Sequence, residues 1–225
     1  MPQHGLVRTR RFEIVAADAR SCRLRLEDDA QTRASYPFSF GLELAYELGD
    51  DALVISGRVE NTGAEPLPAS FGFHPGFRWP LDPARAKGDH ALWIDAPTPP
   101  SVAHLDAEGL LGPGMGLLPL VDGRLDLNEE LFANGALVMR AANVERIALG
   151  PRDGGGVQVT VLPTNLPDLA LWMRPGADFL CIEPWHGHAD PADFEGELSC
   201  KPGGFCVAPA EAIEFHVTIA VAVTG

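Results

Sequence analysis

The sequence predicts an all-β protein built as a large antiparallel β-sandwich. Apolar and polar residues alternate with a period of two in several segments, which is typical of strands with one solvated face. The 24 glycines and 20 prolines interrupt the chain often and favour many short strands over helices. The pattern contains no crossover long enough for a parallel βαβ sheet. With 225 residues, 46% of them hydrophobic, the chain can bury a substantial core, and we predict one domain over residues 1–225.

The predicted strands follow one another with turns between them. The clearest pair is a hairpin, in which the strand from Phe40 to Tyr46 turns back into Ala52–Glu60. The longest alternation, Ile213–Val223, closes the chain, and the Pro- and Gly-rich region Pro80–Asn134 predicts short strands and loops, with a helical turn near Asn128–Phe132. Further strands are predicted at Ser21–Glu27, Ala136–Arg140, Gly156–Leu162, Leu169–Arg174 and Phe179–Glu183.

Composition excludes several classes of partner. A net charge of −14 and a pI near 4.8 disfavour nucleic acid and anionic membranes as partners. No apolar run approaches the roughly 20 residues that span a bilayer, and the start at Met1 lacks the features of a signal peptide. The four cysteines form no CxxC pair, so we expect reduced thiols and a cytoplasmic protein. Association into oligomers stays open.

Two residues are candidates for acid–base chemistry. Glu183 ends an apolar strand on the same face as Phe179 and Cys181, where burial raises a carboxyl pKa into the range useful for proton transfer. His74 lies among aromatic residues and precedes Pro75, and an imidazole there can exchange a proton near pH 7. The alternative is that Glu183 is a structural residue that stabilises a loop and that His74 is a hydrogen-bonded core histidine.

Other patterns allow further interpretations. His186 and His188, with the later His216, could form a cupin-like metal site, although loop histidines are the simpler interpretation. Trp79, Trp172 and Trp185 could stack on a sugar ring or belong to the core. The sequence offers no convincing activated nucleophile, since it has no Gly-x-Ser-x-Gly elbow and no cysteine beside a histidine.

Three segments resemble signatures of the aldose 1-epimerase (galactose mutarotase-like) family, and of its LacX-type branch in particular. The segments are His4-Gly5-Leu6-Val7-Arg8, Phe71-Gly72-Phe73-His74-Pro75-Gly76-Phe77 and Cys181-Ile182-Glu183-Pro184-Trp185-His186-Gly187-His188-Ala189-Asp190. They occur in the family's order, the resemblance extends to the final strand, and the third segment is the most specific.

The resemblance implies a β-sandwich that binds a hexopyranose, a small-molecule sugar, in an open cleft and interconverts its anomers. It implies that Glu183 is the general base and His74 the general acid, and that His4 and Arg8 hold sugar hydroxyls while Trp185 forms a cleft wall. Ring opening removes the proton from O1 and adds one to O5, which a carboxyl and an imidazole accomplish without a metal or cofactor.

The sequence departs from the family at two places. Members usually have a substantial segment before the His-Gly motif, so we expect an N-terminally shortened protein that lacks some N-terminal strands. Members also often carry an acidic residue where this chain has Gly135. A non-catalytic carbohydrate-binding or regulatory protein that keeps the sugar cleft is therefore the alternative function.

Overall fold

The computed structural model describes residues 4–224, except for the side chain of Met115. The expectation about the start of the chain rests partly on the first three residues, which lie outside the described part. Regular structure in the described part is mostly β-strand, with a four-residue helix α1 at Ala30–Arg33 and short 3₁₀ turns. The strands are β1 Glu13–Ala17, β2 Ser21–Glu27, β3 Phe40–Leu48, β4 Ala52–Asn61, β5 Leu67–Ala69, β6 Phe71–Gly72, β7 Gly76–Arg78, β8 His90–Asp95, β9 Ser101–Leu105, β10 Leu111–Leu117, β11 Arg124–Asp126, β12 Leu137–Met139, β13 Arg146–Pro151, β14 Gly156–Thr164, β15 Asp168–Trp172, β16 Phe179–His186, β17 Phe205–Val207 and β18 Ala212–Thr224.

Two large sheets form the sandwich, as the sequence predicted. The nine-stranded sheet has the order β1-β2-β3-β4-β18-β14-β13-β8-β11, and the seven-stranded sheet runs β10-β9-β12-β15-β16-β6, with β7 also paired to β16. The ladders between neighbouring strands are antiparallel. The helical turn expected near Asn128 is a 3₁₀ turn at Glu129–Phe132, where the Asn128 side chain accepts a hydrogen bond from the Leu131 amide.

The period-two segments form the centre of the nine-stranded sheet. The predicted hairpin is β3 and β4, and the closing alternation is β18, which pairs with β4 on one side and β14 on the other. The alternating residues of β18 are not buried along its whole length, because Val221 is 47% exposed and Val223 is 78% exposed. Alternation therefore identifies the face of the strand, but not how far the opposite sheet covers it.

The main core lies between the two sheets. Leu149 and Phe215 from the nine-stranded sheet and Leu171 and Ile182 from the seven-stranded sheet belong to one buried cluster. Each such side chain contributes about 1.5–3 kcal/mol of burial free energy. The alternate residues of the seven-stranded sheet, including Val138 and Ala170, form a second buried cluster. Because alternate residues point to opposite faces, the outer face of this sheet is also partly buried.

No helix among residues 4–224 is long and apolar enough to cross a membrane. The four cysteines are free thiols: Cys181 is buried, Cys22 is half-buried, and Cys200 and Cys206 are exposed.

Candidate functional site

The site lies on the outer face of the seven-stranded sheet, around Glu183 in β16. Glu183 pairs across the sheet with Ala170, and Cys181 pairs with Trp172, so these four side chains share one face. The neighbouring positions 180 and 182 point into the main core. The strand is longer than the sequence indicated and continues to His186. Glu183 therefore sits within the strand, not at its junction with a loop, and its side chain is only 3% exposed.

The backbone of β16 holds the His74 loop in place at two points. β6 pairs with the end of β16, and β7 pairs with its start, so the loop between them passes Glu183. On one side the Phe73 amide donates a 3.1 Å hydrogen bond to the Pro184 carbonyl. On the other side the Ile182 amide donates a 3.2 Å bond to the Pro75 carbonyl. These two bonds fix the loop on both sides of its single histidine.

The loop brings His74 Nε2 to 3.4 Å from Glu183 Oε2. Burial raises the pKa of Glu183 to about 8. Burial also lowers the pKa of His74 from its ordinary value of 6.5, and the positive charge of Arg8 lowers it further, against a backbone hydrogen bond that raises it. The atoms are within ion-pair distance, but these pKa shifts favour a neutral carboxyl beside a neutral imidazole. Near neutral pH the pair holds one proton between two acceptors.

Two further predicted residues lie beside His74. The rings of His4 and His74 meet edge to face, with their centres 5.3 Å apart. Burial lowers the pKa of His4, and the neighbouring charges of His74 and Arg8 lower it further, which puts Arg8 in the same electrostatic environment. Both His4 and Arg8 are exposed.

Tryptophans lie on either side of Glu183 along the sheet. Trp185 is two residues further along β16 and therefore shares the face of Glu183. Its ring packs against Gly72 so closely that a Cβ there would lie 2.3 Å from Trp185 Cδ1. Trp172, for which the sequence left both the core and the sugar-stacking interpretation open, is half-buried, with its ring centre 6.1 Å from that of His74.

Other sequence candidates lie elsewhere. Trp79 is fully buried, and its Nε1 donates to the Lys87 carbonyl, so it is a core residue and cannot stack on a sugar. The three histidines of the cupin-like hypothesis bond to different partners. His186 contacts the Asn165 carbonyl and the rings of Phe205 and Phe215; His188 contacts the Ala189 carbonyl, and His216 contacts Ser56 Oγ. Within the described residues they do not form a ligand group.

Gly135 lies in a turn between the 3₁₀ segment and β12. Its φ is +88°, a conformation that side chains with a Cβ rarely adopt, and its amide donates to the Phe132 carbonyl. The acidic residue expected from the family resemblance would be strained here. The backbone therefore accounts for glycine at this position.

The structure also adds one residue that sequence reasoning did not assign to the site, Cys181. Its thiol faces the same side as Glu183, and burial, together with the neighbouring carboxylate, raises its pKa to about 12. The period-two pattern of β16 already placed Cys181 on the face of Glu183. The pattern did not show that β6 and β7 pair with β16, which is what brings His74 next to Cys181 and Glu183.

Comparisons with known proteins find a similar family and similar folds. Residues 1–106 match the family model described as aldose 1-epimerase. A search of curated proteins finds no match. Among solved structures, a galactose mutarotase related enzyme from Lactobacillus acidophilus is 27% identical with a TM-score of 0.87, and the match covers 99% of this chain and 74% of that one.

Two other solved structures have lower identity and support the fold alone. A galactose mutarotase-like protein from Lactobacillus casei is 21% identical, with a TM-score of 0.90 over 99% of this chain and 76% of that one. Galactose 1-epimerase from Lactobacillus acidophilus is 16% identical, with a TM-score of 0.65 over 95% of this chain and 66% of that one. The resemblance to the aldose 1-epimerase family is thus confirmed, and the chain has the β-sandwich fold of the galactose mutarotase-like proteins.

Proposed function

We propose that the protein is a mutarotase that interconverts the α and β anomers of a hexose or related aldose by acid–base ring opening. The observation that carries the proposal is the 3.4 Å approach of His74 Nε2 to Glu183 Oε2, on a sheet face bordered by two tryptophans. The family-model match and the name of the 27% identical structural neighbour, a galactose mutarotase related enzyme, support an isomerase of this class.

The proton content of the pair suits a reaction that both removes and adds a proton. With the pKa of Glu183 raised to about 8 and that of His74 lowered, one proton is shared near pH 7. When that proton resides on His74, the Glu183 carboxylate can take the proton of O1 while the imidazolium protonates O5. After rotation about C1–C2 the ring closes on the other face, and the two groups exchange roles. The pair is returned unchanged, so turnover consumes nothing.

The remaining residues suit the binding of a sugar. His4 and Arg8 lie on the exposed side of His74, where they can donate hydrogen bonds to hydroxyl groups. The aromatic surfaces of Trp185 and Trp172 can pack against the apolar C–H face of a pyranose. We assign His4, Arg8 and Trp185 to substrate binding, and Glu183 and His74 to catalysis.

Polarimetry tests the proposal directly. The rate of mutarotation is measured on freshly dissolved α-D-galactose and α-D-glucose with and without protein. We expect acceleration by the wild type and a loss of about 100-fold or more in Glu183→Gln and in His74→Ala, the scale typical of a lost acid–base group. Glu108→Gln, at an exposed carboxylate, is the matched control and keeps full activity. No acceleration by wild type, or equal acceleration by Glu183→Gln, contradicts the proposal.

Gly135 favours one alternative, a non-catalytic sugar-binding or regulatory protein. Its backbone conformation disfavours the acidic side chain that the family resemblance leads us to expect here, so any sugar contact made by that side chain would be missing. Titration of the same sugars, followed by tryptophan fluorescence, separates the two functions. Saturable binding without any acceleration of mutarotation would favour the alternative.

A further inference from the structure

The proposed reaction leaves one polar group of the site without a role. Cys181 Sγ lies with a nitrogen of His74 and a carboxylate oxygen of Glu183 in a cluster whose three atoms are all within 4.8 Å of one another. Cys181 and Glu183 are buried, whereas 41% of the His74 side chain is exposed. The cluster is thus closed towards the sheet and open on the side where a sugar or an ion would enter.

The spacing of these atoms suits a tetrahedral cation. Zn²⁺ bonds sulfur at about 2.3 Å and nitrogen or oxygen at about 2.0–2.2 Å, so its ligand atoms lie about 3.4–3.6 Å apart. The nitrogen and oxygen of His74 and Glu183 already have this separation, at 3.4 Å. All three atoms lie within 4.8 Å of one another, so the sulfur has to approach the other two ligand atoms by about 1.2–1.4 Å at most. Changes in the side-chain torsions of Cys181 and His74 can supply a movement of this size.

The ligand types also restrict which cation would bind. A thiolate, an imidazole and one carboxylate are the set that Zn²⁺ and Co²⁺ favour. Mg²⁺ and Ca²⁺ require mostly oxygen ligands, and this cluster offers a single carboxylate. The elements that provide the ligands are fixed, because Cys181 and Glu183 belong to β16 and the His74 loop is bonded to β16 on both sides.

We propose that His74, Cys181 and Glu183 form a binding site for a thiophilic divalent cation of the Zn²⁺ class, and that the bound cation inhibits the protein. Binding forms bonds from the metal to Sγ, to the imidazole nitrogen and to the carboxylate. The thiol proton, and the carboxyl proton where present, pass to solvent, and no electrons are transferred. The inhibitory part rests on the proposed function, since the cation occupies both groups that would move protons.

Metal binding is measured separately from activity, so the two proposals can fail independently. Zn²⁺ is titrated into the apoprotein by calorimetry, and Co²⁺ binding is followed by its thiolate charge-transfer absorption. We expect one site, competition between metal and sugar, and no response to Mg²⁺. Cys181→Ser lowers the Zn²⁺ affinity at least about tenfold, which is the lower end of the cost of losing an outer-sphere partner. The variant Cys181→Ala repeats the test in case serine disturbs folding.

The exposed thiols provide the control. If Zn²⁺ binds at Cys181, the double variant Cys200→Ser/Cys206→Ser binds Zn²⁺ with unchanged affinity and is inhibited by it as wild type is. Unchanged Zn²⁺ affinity in both Cys181 variants, or loss of binding in the double variant, overturns the proposal. If Zn²⁺ binds in a Cys181-dependent manner but the wild type shows no mutarotation, the metal site stands and the proposed function fails.

Discussion

Replacing Glu183 by Gln should make the stability of the protein less dependent on pH. Glu183 is 3% exposed, and burial raises its pKa from the ordinary 4.5 to about 8. Between these values the folded protein holds a proton on Glu183 that the unfolded chain has lost. Stability from this group is therefore fully present below pH 4.5 and is lost as the pH rises towards 8. The side-chain amide of the Glu183→Gln variant does not titrate, so the free energy of unfolding of the variant does not decrease over this pH range for that reason.

The expected size follows from the pKa. Each pH unit in this interval changes the free energy of unfolding by about 1.4 kcal/mol. Between pH 5 and pH 8 the free energy of unfolding of wild type should therefore fall by about 4 kcal/mol relative to that of Glu183→Gln. The variant would be comparable to wild type at pH 5, where Glu183 is a neutral carboxyl of similar shape, and more stable at pH 8. The same substitution abolishes the proposed catalysis, so activity and stability should change in opposite directions.

The measurement is urea unfolding followed by tryptophan fluorescence at pH 5, 6, 7 and 8, with the free energy of unfolding obtained by linear extrapolation. For the control Glu108→Gln, at an exposed carboxylate, the free energy of unfolding should depend on pH in the same way as for wild type. Parallel pH curves for wild type and Glu183→Gln would show that Glu183 is ionised in the folded protein and would refute the reasoning.

Three more predictions concern the same structure. The mutarotation rate should follow a bell in pH, falling below the lowered pKa of His74, where the pair has no acceptor, and above about 8, where it has no proton; a flat profile from pH 5 to 9 contradicts this. Gly72→Ala places a Cβ 2.3 Å from Trp185 Cδ1 and should cost about 1–3 kcal/mol in unfolding experiments, whereas Gly88→Ala, with open space around its Cβ, should not. Val223→Thr, at a position 78% exposed, should change stability by less than about 0.5 kcal/mol, and a larger loss would mean that something covers this strand end.

The sequence predicted those parts of the fold in which local pattern and tertiary environment agree. The β3–β4 hairpin and β18 alternate cleanly, and the structure has both. The sequence predicted less about residues whose burial depends on which distant strands pair with their own. Trp79 and Trp172 looked equivalent in sequence, yet one is fully buried and the other borders His74, since their sheet positions depend on distant strands. The single domain, the shortened start and the LacX-type branch remain predictions.

The sequence predicted most residues of the candidate site, but not the role of Cys181 in it and not its geometry. The period of β16 placed Cys181 and Glu183 on one face, the aromatic surroundings of His74 made it an acid–base candidate, and the resemblance supplied His4 and Arg8. The 3.4 Å approach could not be read from the chain, because it depends on β6 and β7 pairing with a strand about a hundred residues away.

That pairing has a consequence for how the protein loses function. β6 and β7 form the edge of their sheet, so the position of His74 beside Glu183 depends on edge strands and on two backbone hydrogen bonds, at Phe73 and Ile182. Edges open by local fluctuations that cost less than global unfolding. Amide hydrogen exchange at Phe73 should therefore be faster than within β15, and mild denaturant should separate the acid from the base while the sandwich core remains folded. Activity would then report the integrity of one sheet edge before it reports the stability of the protein.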